Sequence, residues 1–437
     1  MTQWFVNPFF VGYFDGDTSV ISLTSAPDTA TFSIYEPEHP LRGVTDTLGL
    51  LQSIPRMGQD DVELLKESGI ISEMPFDRER MVKDQLAANH DPEWLRLTII
   101  PTLNCNFSCP YCGQRHCGQP AMGSSVYESV SRLISRKIGQ GVRNVHIMLF
   151  GGEPLLLTRH WMPWLRQWRR HCAEAGVLFA AKATTNGYLL RDASVVDQVL
   201  DSGCTEFQIT LDGVEAQHNL TRPSRRGGAT HGAVVAALRN LALHPGMTSC
   251  TIRINHNRTT VTPFAVNAFL RDVVDITGKD DRFWIHHHRA ADLGGTLSEE
   301  LPYDEFAAIM PSLRRLTHDY GLKLMRDFYP GDRSCSASSR NSLVVMPDGG
   351  LAKCTAVLND PRNHVGHLRE DGEIEFNSEF EKWVNPTLAG HCESCVHLPQ
   401  CRGGSCPLAS ISSKPNCPAK LLDFSYLALK ECTGPHK

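Results

Sequence analysis

The spacing of apolar positions divides the chain into three regions. From Phe5 to about Pro37 they fall in short strand-like runs, Phe9–Phe14, Ser19–Thr24 and Thr31–Tyr35. Helical spacing follows near Val44–Gln52 and Gln59–Ser68, where Gly69 stands as a C-terminal stop. Asp77–Asp91 is polar and reads as a linker. From Leu95 the pattern becomes strand, helix, strand. Strands are expected at Leu95–Ile100, Asn144–Phe150, Leu178–Thr184, Glu206–Leu211, Cys250–Asn255 and Arg282–His287. Helices are expected near Ser125–Gly139, Trp161–Ala175, Ala193–Ser202 and Ala233–Leu243. Such alternation argues for parallel βα units, whose chemistry sits at the C-terminal strand ends. From about Cys335 the chain is rich in Cys, Gly and Pro with little periodicity, and too few apolar residues are expected there for a conventional core.

Length and composition narrow the class. A chain of 437 residues suggests two or three domains, and 41% hydrophobic with 21% charged residues is an ordinary globular balance. The net charge of −5 gives no argument for nucleic acid or an anionic membrane. No apolar run approaches a membrane span. Met1–Tyr13 lacks the basic start and cleavage site of a signal peptide, so a cytoplasmic location is expected. There, fifteen cysteines are poor candidates for disulfides, and eight of them lie between Cys335 and Cys432. Metal or iron–sulfur ligation is the economical explanation.

The densest chemistry follows the first strand of the alternating region. Cys105, Cys109 and Cys112 stand in the order C-x-x-x-C-x-x-C, with Asn106, Phe107 and Tyr111 among them. Three thiolates on one loop can hold three irons of a four-iron cube and leave the fourth open, where a closed cluster takes four cysteines. Zinc is the other reading, with Cys117 or His116 as a fourth ligand. Phe150-Gly151-Gly152-Glu153-Pro154 ends the second strand, and the glycines permit close backbone approach. Thr184-Thr185-Asn186-Gly187 ends the third strand and reads equally well as an ordinary Asn-Gly turn. Thr210-Leu211-Asp212-Gly213 ends the fourth, followed by His218, Arg222 and Pro223. Arg222 is suited to bidentate pairing with a carboxylate. Asn255 ends the fifth strand. His286 and His288 share a face at the end of the sixth, as acid–base groups or, the plainer reading, polar edge residues.

In this order the motifs resemble the radical S-adenosylmethionine (SAM) superfamily. The resemblance covers roughly residues 93–430 and implies a partial (β/α)6 barrel. Cys105, Cys109 and Cys112 would hold the SAM-binding cluster. Tyr111, Gly151, Gly152, Glu153, Asn186, Thr210, Asp212, Arg222 and Asn255 would surround SAM. The C-terminal cysteines resemble a SPASM domain, which binds two auxiliary clusters. Cys335 precedes Gly349 and Cys354, and Cys392, Cys395, Cys401, Cys406 and Cys417 follow, with one more residue between Cys401 and Cys406 than the family pattern has. By position Cys392, Cys395, Cys401 and Cys417 would hold the distal cluster. Cys335, Cys354 and Cys406 would hold the proximal one. A fourth proximal ligand is left between Asp332, Cys432, a substrate thiolate and an open site. Cys172, Cys204 and Cys250 read as core.

The implied organisation is an N-terminal α+β domain over 1–92, the barrel over 93–300, a bridging segment over 301–334 and the auxiliary-cluster domain over 335–437. The first of these faintly resembles a winged-helix element that binds a leader peptide as an added edge strand, and a plain docking domain is equally compatible. The implied activity is that of a peptide maturase. It would use SAM and three [4Fe–4S] clusters to install a carbon–sulfur or carbon–carbon cross-link in a ribosomally made precursor. A flavodoxin or ferredoxin would be its electron donor. Rivals are a formylglycine-forming sulfatase-maturating enzyme, a radical enzyme of cofactor biosynthesis, and a non-catalytic iron–sulfur carrier or zinc scaffold. Thr355 stands where the sulfatase-maturating enzymes usually carry Asp. No catalytic base is assigned, and the bond formed is open.

Overall fold

The computed structural model describes residues 3–14, 19–23, 32–34, 37–81, 92–114, 121–290, 300–325 and 335–385, with Cys392, Ser394, Cys395, Val396, Leu398 and Pro407. Its contacts divide the chain into two units, one of residues 1–90, 326–338 and 385–437, the other of residues 91–325 and 339–384.

In the first unit β1 (Phe5–Val6) is followed by an antiparallel meander of β2 (Phe10–Phe14), β3 (Ser19–Leu23) and β4 (Phe32–Ile34). Helices α1 (Thr47–Ser53) and α2 (Gln59–Glu67) come next, then β5 (Ile71–Ser72), which pairs antiparallel with β1. Asp46 caps α1 by accepting from Gly49 N at 2.8 Å. Phe10, Ile34, Leu41, Val44, Leu50, Ile54, Leu65, Ile70 and Ile71 form the core. The three expected strands and two helices are present. The β1–β5 pair was not foreseen, because two-residue strands carry no legible period. Part of the expected linker is also anchored. Arg78 stacks on Phe9 at 4.6 Å and donates to Cys395 O at 3.0 Å. Residues 82–91 of that stretch lie outside the described residues.

In the second unit the elements run β6 (Trp94–Ile99), α3 (Ser124–Gly139), β7 (Asn144–Leu149), α4 (Thr158–Glu174), β8 (Leu178–Thr185), α5 (Ala193–Asp201) and β9 (Glu206–Thr210). They continue with α6 (Glu215–Thr221), α7 (His231–Leu243), β10 (Ser249–His256), α8 (Pro263–Thr277), β11 (Phe283–Arg289), α9 (Tyr303–Asp319) and β12 (Lys323–Leu324). The six expected strands, β6 to β11, pair in sequence order and all parallel. Each helix returns the chain so that the next strand starts at the same edge. Helices α6, α8 and α9 add to the expected set. Thr262 and Pro263, a cap and a first-turn proline, were the legible signal for α8. The expected bridging segment contains α9 and β12.

The sheet does not end at β6. β13 (Ser342–Val345) adds parallel to its free edge, and β14 (Gly350–Ala352), β15 (His364–Leu368) and β16 (Ile374–Phe376) follow antiparallel, before α10 (Glu379–Val384). All four residues of β13 are buried. Val344, Ala352 and Leu358 pack with Ile100, against Leu103, Phe150 and Met346. The expectation that residues after 335 lack a conventional core is corrected here, because these short strands borrow their core from β6 and its loop.

Alternation along the parallel strands gives the sheet two characters. Leu95, Leu97 and Ile99 of β6 and Val145, Ile147 and Leu149 of β7 are buried apolar residues. The intervening positions are Arg96, Thr98, His146 and Met148, and further along Lys182, Thr184, Gln208, Thr210, Arg253, Asn255, His286 and His288. One face thus packs on helices and the other is polar.

Candidate functional site

The cysteine loop leaves β6 and is laced to the segment after α6. Ser108 N donates to Pro223 O at 2.9 Å and Arg225 N to Asn106 O at 2.9 Å, and Phe107 bridges Ser224. Phe107 is buried, with the Arg222 guanidinium 5.5 Å from its ring centre. The stretch Arg222–Arg225 therefore helps to build the cysteine loop.

Gly151 and Gly152 press on the start of the same loop. Gly151 has φ of 125°, and a Cβ there would stand 2.4 Å from Thr102 O. A Cβ on Gly152 would stand 2.2 Å from Asn104 O. Gly152 N donates to Thr102 O at 3.0 Å and Glu153 N to Asn104 O at 2.8 Å. Glu153 is 1% exposed. Its carboxylate accepts from Leu155 N at 2.9 Å, Thr185 Oγ1 at 2.7 Å and Asn186 N at 2.7 Å. Burial raises its pKa against the pull of these bonds. Asn186 in turn donates to Asn106 Oδ1 at 2.7 Å and lies 3.8 Å from Cys105 Sγ. Three strand ends are thereby tied around the first cysteine.

A second network joins the loop to β9 and β10. Tyr111 donates to Asp212 Oδ2 at 2.5 Å and accepts from Arg222 Nη1 at 2.5 Å. Asp212 is fully buried, and its Oδ1 accepts from Asn255 N at 2.8 Å and Asn255 Nδ2 at 3.1 Å. Arg222 lies 3.9 Å from Asp212. Asp212 N donates to His218 Nδ1 at 3.2 Å, so this ring is neutral with its proton on Nε2. Burial, then Arg222, push the His218 pKa down to about 2. Burial holds the Tyr111 phenol well above its ordinary range. The bidentate grip expected of Arg222 is in this structure partly committed to Tyr111.

A cavity of about 730 Å³ opens beside these groups. Its wall includes Tyr111, Cys112, Thr210, Arg222 and Asn255. Gly151, Gly152, Glu153, Asn186 and Asp212 are not among its lining residues. Gln208 and Arg253 line it and were not singled out, although each stands two positions before a strand-end residue on the same face, and His288 of the sixth strand lines it as well. His286 meets His288 edge-on at 5.4 Å, as the alternation implied, while His287 turns away to His256 at 2.8 Å. The loop Thr355–Pro361 also lines it. Asn363 is fully buried and holds that loop. Its Oδ1 accepts from Lys353 N and Cys354 N, and its Nδ2 donates to Cys354 O and Val357 O. Asn359 Nδ2 donates to Gly113 O at 2.9 Å, next to Cys112.

The donor set suits an iron–sulfur cluster. The three thiols are half-buried, and Cys105 Sγ accepts from Phe107 N at 3.4 Å. N–H groups aimed at sulfur are the outer-shell support that metal-bound thiolates receive. Burial pushes the Cys105 thiol up to about 12 and raises that of Cys109, where Arg222 pulls the other way. The bare thiols of Cys105 and Cys109 hold their protons, and iron would displace them. Cys354 is half-buried at the base of its loop. In the other unit Cys335 is exposed, and Cys392 and Cys395 are half-buried, with Cys395 N donating to Cys392 O at 3.1 Å. Cys401, Cys406, Cys417 and Cys432 lie outside the described residues. Cys172, Cys204 and Cys250 are buried in the second unit.

Residues 99–254 match the family model of the radical SAM superfamily, and this part of the chain is a radical SAM domain. Among curated proteins, the chain is 27% identical over 329 residues to the mycofactocin maturase MftC of Mycobacterium ulcerans (strain Agy99), which covers 70% of this chain and 82% of that protein. It is 23% identical over 330 residues to the serine-type anaerobic sulfatase-maturating enzyme of Klebsiella aerogenes, covering 69% and 77%. Among solved structures it resembles anSMEcpe with bound AdoMet, with a TM-score of 0.60 and 18% identity over 78% of this chain and 97% of that one. It also resembles Streptococcus suis SuiB bound to its precursor peptide SuiA, with a TM-score of 0.54 and 14% identity over 94% and 98%. These likenesses show the α/β radical SAM fold with a mixed sheet.

Proposed function

We propose that the chain is a radical SAM maturase that cross-links a ribosomally made precursor peptide through a carbon–sulfur or carbon–carbon bond. The observation that carries this reading is the cavity at the strand ends. It is walled by the cysteine loop, the Tyr111–Arg222–Asn255 network and the loop that begins at Cys354. SAM and its cluster, when bound, would supply the radical chemistry that removes hydrogen from the substrate.

Cys105, Cys109 and Cys112 would hold the SAM cluster and leave one iron open. Gly151 and Gly152 let the second strand's turn approach that loop. Glu153 and Asn186 would brace it from behind. Tyr111, Thr210, Arg222 and Asn255 would position SAM from the cavity wall, with Asp212 fixing Tyr111 and Asn255. Cys392, Cys395, Cys401 and Cys417, and Cys335, Cys354 and Cys406, would hold two auxiliary clusters. The N-terminal unit would receive the leader of the peptide, and a flavodoxin or ferredoxin would supply electrons in the cytoplasm. SuiB is seen with a precursor peptide, and MftC is a maturase by name, which favours this reading. Formylglycine formation is favoured less, because Thr355, where Asp is usual in those enzymes, lines the cavity.

The test is anaerobic reconstitution with iron and sulfide, then SAM and dithionite, with a short Cys- or aromatic-bearing peptide encoded beside the gene. About twelve irons, 5′-deoxyadenosine and a peptide mass loss of hydrogen would support the reading. Bound zinc, or no SAM cleavage with full clusters, would sink it.

A further inference from the structure

The cysteine loop has two flanks. Tyr111 and Cys112 line the cavity. The other flank, around Cys105, is open to solvent, since Asn104 and Ser108 are exposed. Three segments meet on it. Glu153 N donates to Asn104 O at 2.8 Å, Asn186 Nδ2 to Asn106 Oδ1 at 2.7 Å, and Arg225 N to Asn106 O at 2.9 Å.

Each of these segments leads to an exposed arginine. Arg159 stands in the first turn of α4, where Trp161 Nε1 donates to Pro154 O at 2.9 Å, next to Glu153. Arg191 lies 3.9 Å over the ring of Tyr188, and Tyr188 meets Phe107 of the cysteine loop edge-on at 5.8 Å. Arg226 directly follows Arg225. Neither Arg159 nor Arg226 pairs with a carboxylate among the described residues. Asp192, the neighbour of Arg191, is engaged as the cap of α5 and accepts from Ser194 N at 2.9 Å.

The positive charge continues along α4. Arg159, Arg166 and Arg170 recur at helical spacing on its exposed side, and Glu174, in the last position, is the only carboxylate of that helix. Leu156, 40% exposed, adds an apolar point just before the helix begins. The whole chain carries a net charge of −5, so this basic face runs against the overall balance. Cations set around an apolar point fit a negatively charged protein surface. A radical SAM domain also needs an electron for each SAM it cleaves, and electron transfer weakens steeply with distance. Its donor must therefore dock where the cluster lies near solvent, on the flank that the substrate cavity leaves free.

We infer that Arg159, Arg191 and Arg226, with Arg166 and Arg170 leading toward them, form the docking surface for an acidic one-electron carrier protein. This rests on the radical SAM maturase reading above. One electron leaves the reduced carrier and is taken up by the cluster at Cys105, Cys109 and Cys112, and no bond forms or breaks at the interface.

The test uses the cluster-reconstituted chain with SAM. A reduced flavodoxin and a reduced two-cluster ferredoxin, both acidic, are the protein probes, and photoreduced deazariboflavin is a small uncharged reductant. The triple reversal Arg159→Glu, Arg191→Glu and Arg226→Glu is expected to cut carrier-driven release of 5′-deoxyadenosine at least about tenfold at low salt, and to leave deazariboflavin-driven release within about twofold. Binding of the oxidised carriers, read by calorimetry, is expected to weaken by a similar factor and to fade with salt in wild type. Arg271→Glu, an exposed site on α8, is the control and should change neither reading. Carrier binding and carrier-driven release that ignore the reversal overturn the surface. So does failure of both carriers where deazariboflavin succeeds. Tighter binding of a labelled single-stranded DNA than of either carrier, lost on reversal, would give the face to nucleic acid and overturn it as well. Circular dichroism checks the fold. If the triple variant does not fold, Arg159→Gln, Arg191→Gln and Arg226→Gln take its place singly, each expected to weaken carrier binding at least about twofold. The maturase reading fails separately, if carrier-driven deoxyadenosine release leaves the mass of the peptide unchanged.

Discussion

The phenol of Tyr111 reaches Asp212 at 2.5 Å, which ties the residue before the last cysteine of the loop to the end of the fourth parallel strand. Asp212 has no exposure to solvent and lies 3.9 Å from the Arg222 guanidinium. A buried carboxylate of this kind is stabilising only while its partners remain. The cysteine loop therefore takes its position from a strand about a hundred residues further along the chain.

Asp212→Ala removes the negative charge and leaves Arg222 and Asn255 buried without it. The variant should lose about 3–5 kcal/mol in urea denaturation. Asp212→Asn keeps part of the hydrogen bonding and should lose less. Both should lower SAM-dependent deoxyadenosine release by more than about tenfold, since a lost buried donor–acceptor pair of charged groups is worth about 1.5–3 kcal/mol. Wild-type stability in Asp212→Ala would show that the network does not hold the loop.

Gly152→Ala puts a methyl group 2.2 Å from Asn104 O and 2.5 Å from Leu103 O, both backbone atoms. The loop before Cys105 must shift, at a cost of about 1–3 kcal/mol. Reconstitution should then yield less iron, with the SAM-binding cluster's signal reduced in electron paramagnetic resonance. Gly139→Ala is the control, because nothing lies within 4 Å of its new Cβ and its residue is helical. That change should stabilise by about 0.5–1 kcal/mol.

Stability should fall with pH below neutrality. His256 is fully buried, and burial, offset in part by the Thr260 carbonyl, lowers its pKa to about 4 from an ordinary 6.5. The unfolded chain takes up this proton first, so stability is complete above pH 6.5 and declines as pH falls toward 4. The decline is about 1.4 kcal/mol per pH unit for one such group, roughly 3 kcal/mol in all. Denaturation across this window should show a slope that becomes shallower by about one proton in His256→Gln. An unchanged slope would show that His256 is not buried neutral.

Asn363→Ala leaves Lys353 N and Cys354 N without the oxygen they share. Each buried orphan donor costs about 1–3 kcal/mol. The loop from Cys354 to Pro361 should loosen, which limited proteolysis and mass mapping would detect between Thr355 and Pro361. Asn363→Asp retains the acceptor and should protect more than alanine does.

The parallel strands were legible because β6, β9 and β10 alternate apolar and polar residues for five or more positions, and all six recur between helical stretches in a repeating order. The motifs at their ends were legible for a related reason, since Gly151-Gly152 and Asp212-Gly213 are residue types that a sharp turn selects. What the motifs did not disclose was the direction of their side chains. Glu153 looked like a cofactor ligand, yet its oxygens are turned to Leu155, Thr185 and Asn186. Arg253 looked like a mid-strand residue, yet the cavity opens onto it. Burial and facing depend on which strands flank a position, and a single strand's pattern does not record that.

The same division holds for the chain as a whole. Its own residue order determined the class of protein, the parallel sheet and the cysteines that can meet iron, because local periodicity and ligand spacing are properties of short segments. Tertiary structure alone decided that residues 342–376 would continue that sheet rather than stand apart, that Asn363 would hold the loop of Cys354, and that Tyr111 would meet Asp212, Arg222 and Asn255 at one point. Apart from the short-range bond of Asn363 to Cys354, these contacts join residues far apart in the chain, and they are selected by the packing free energy of the assembled fold rather than by any local preference.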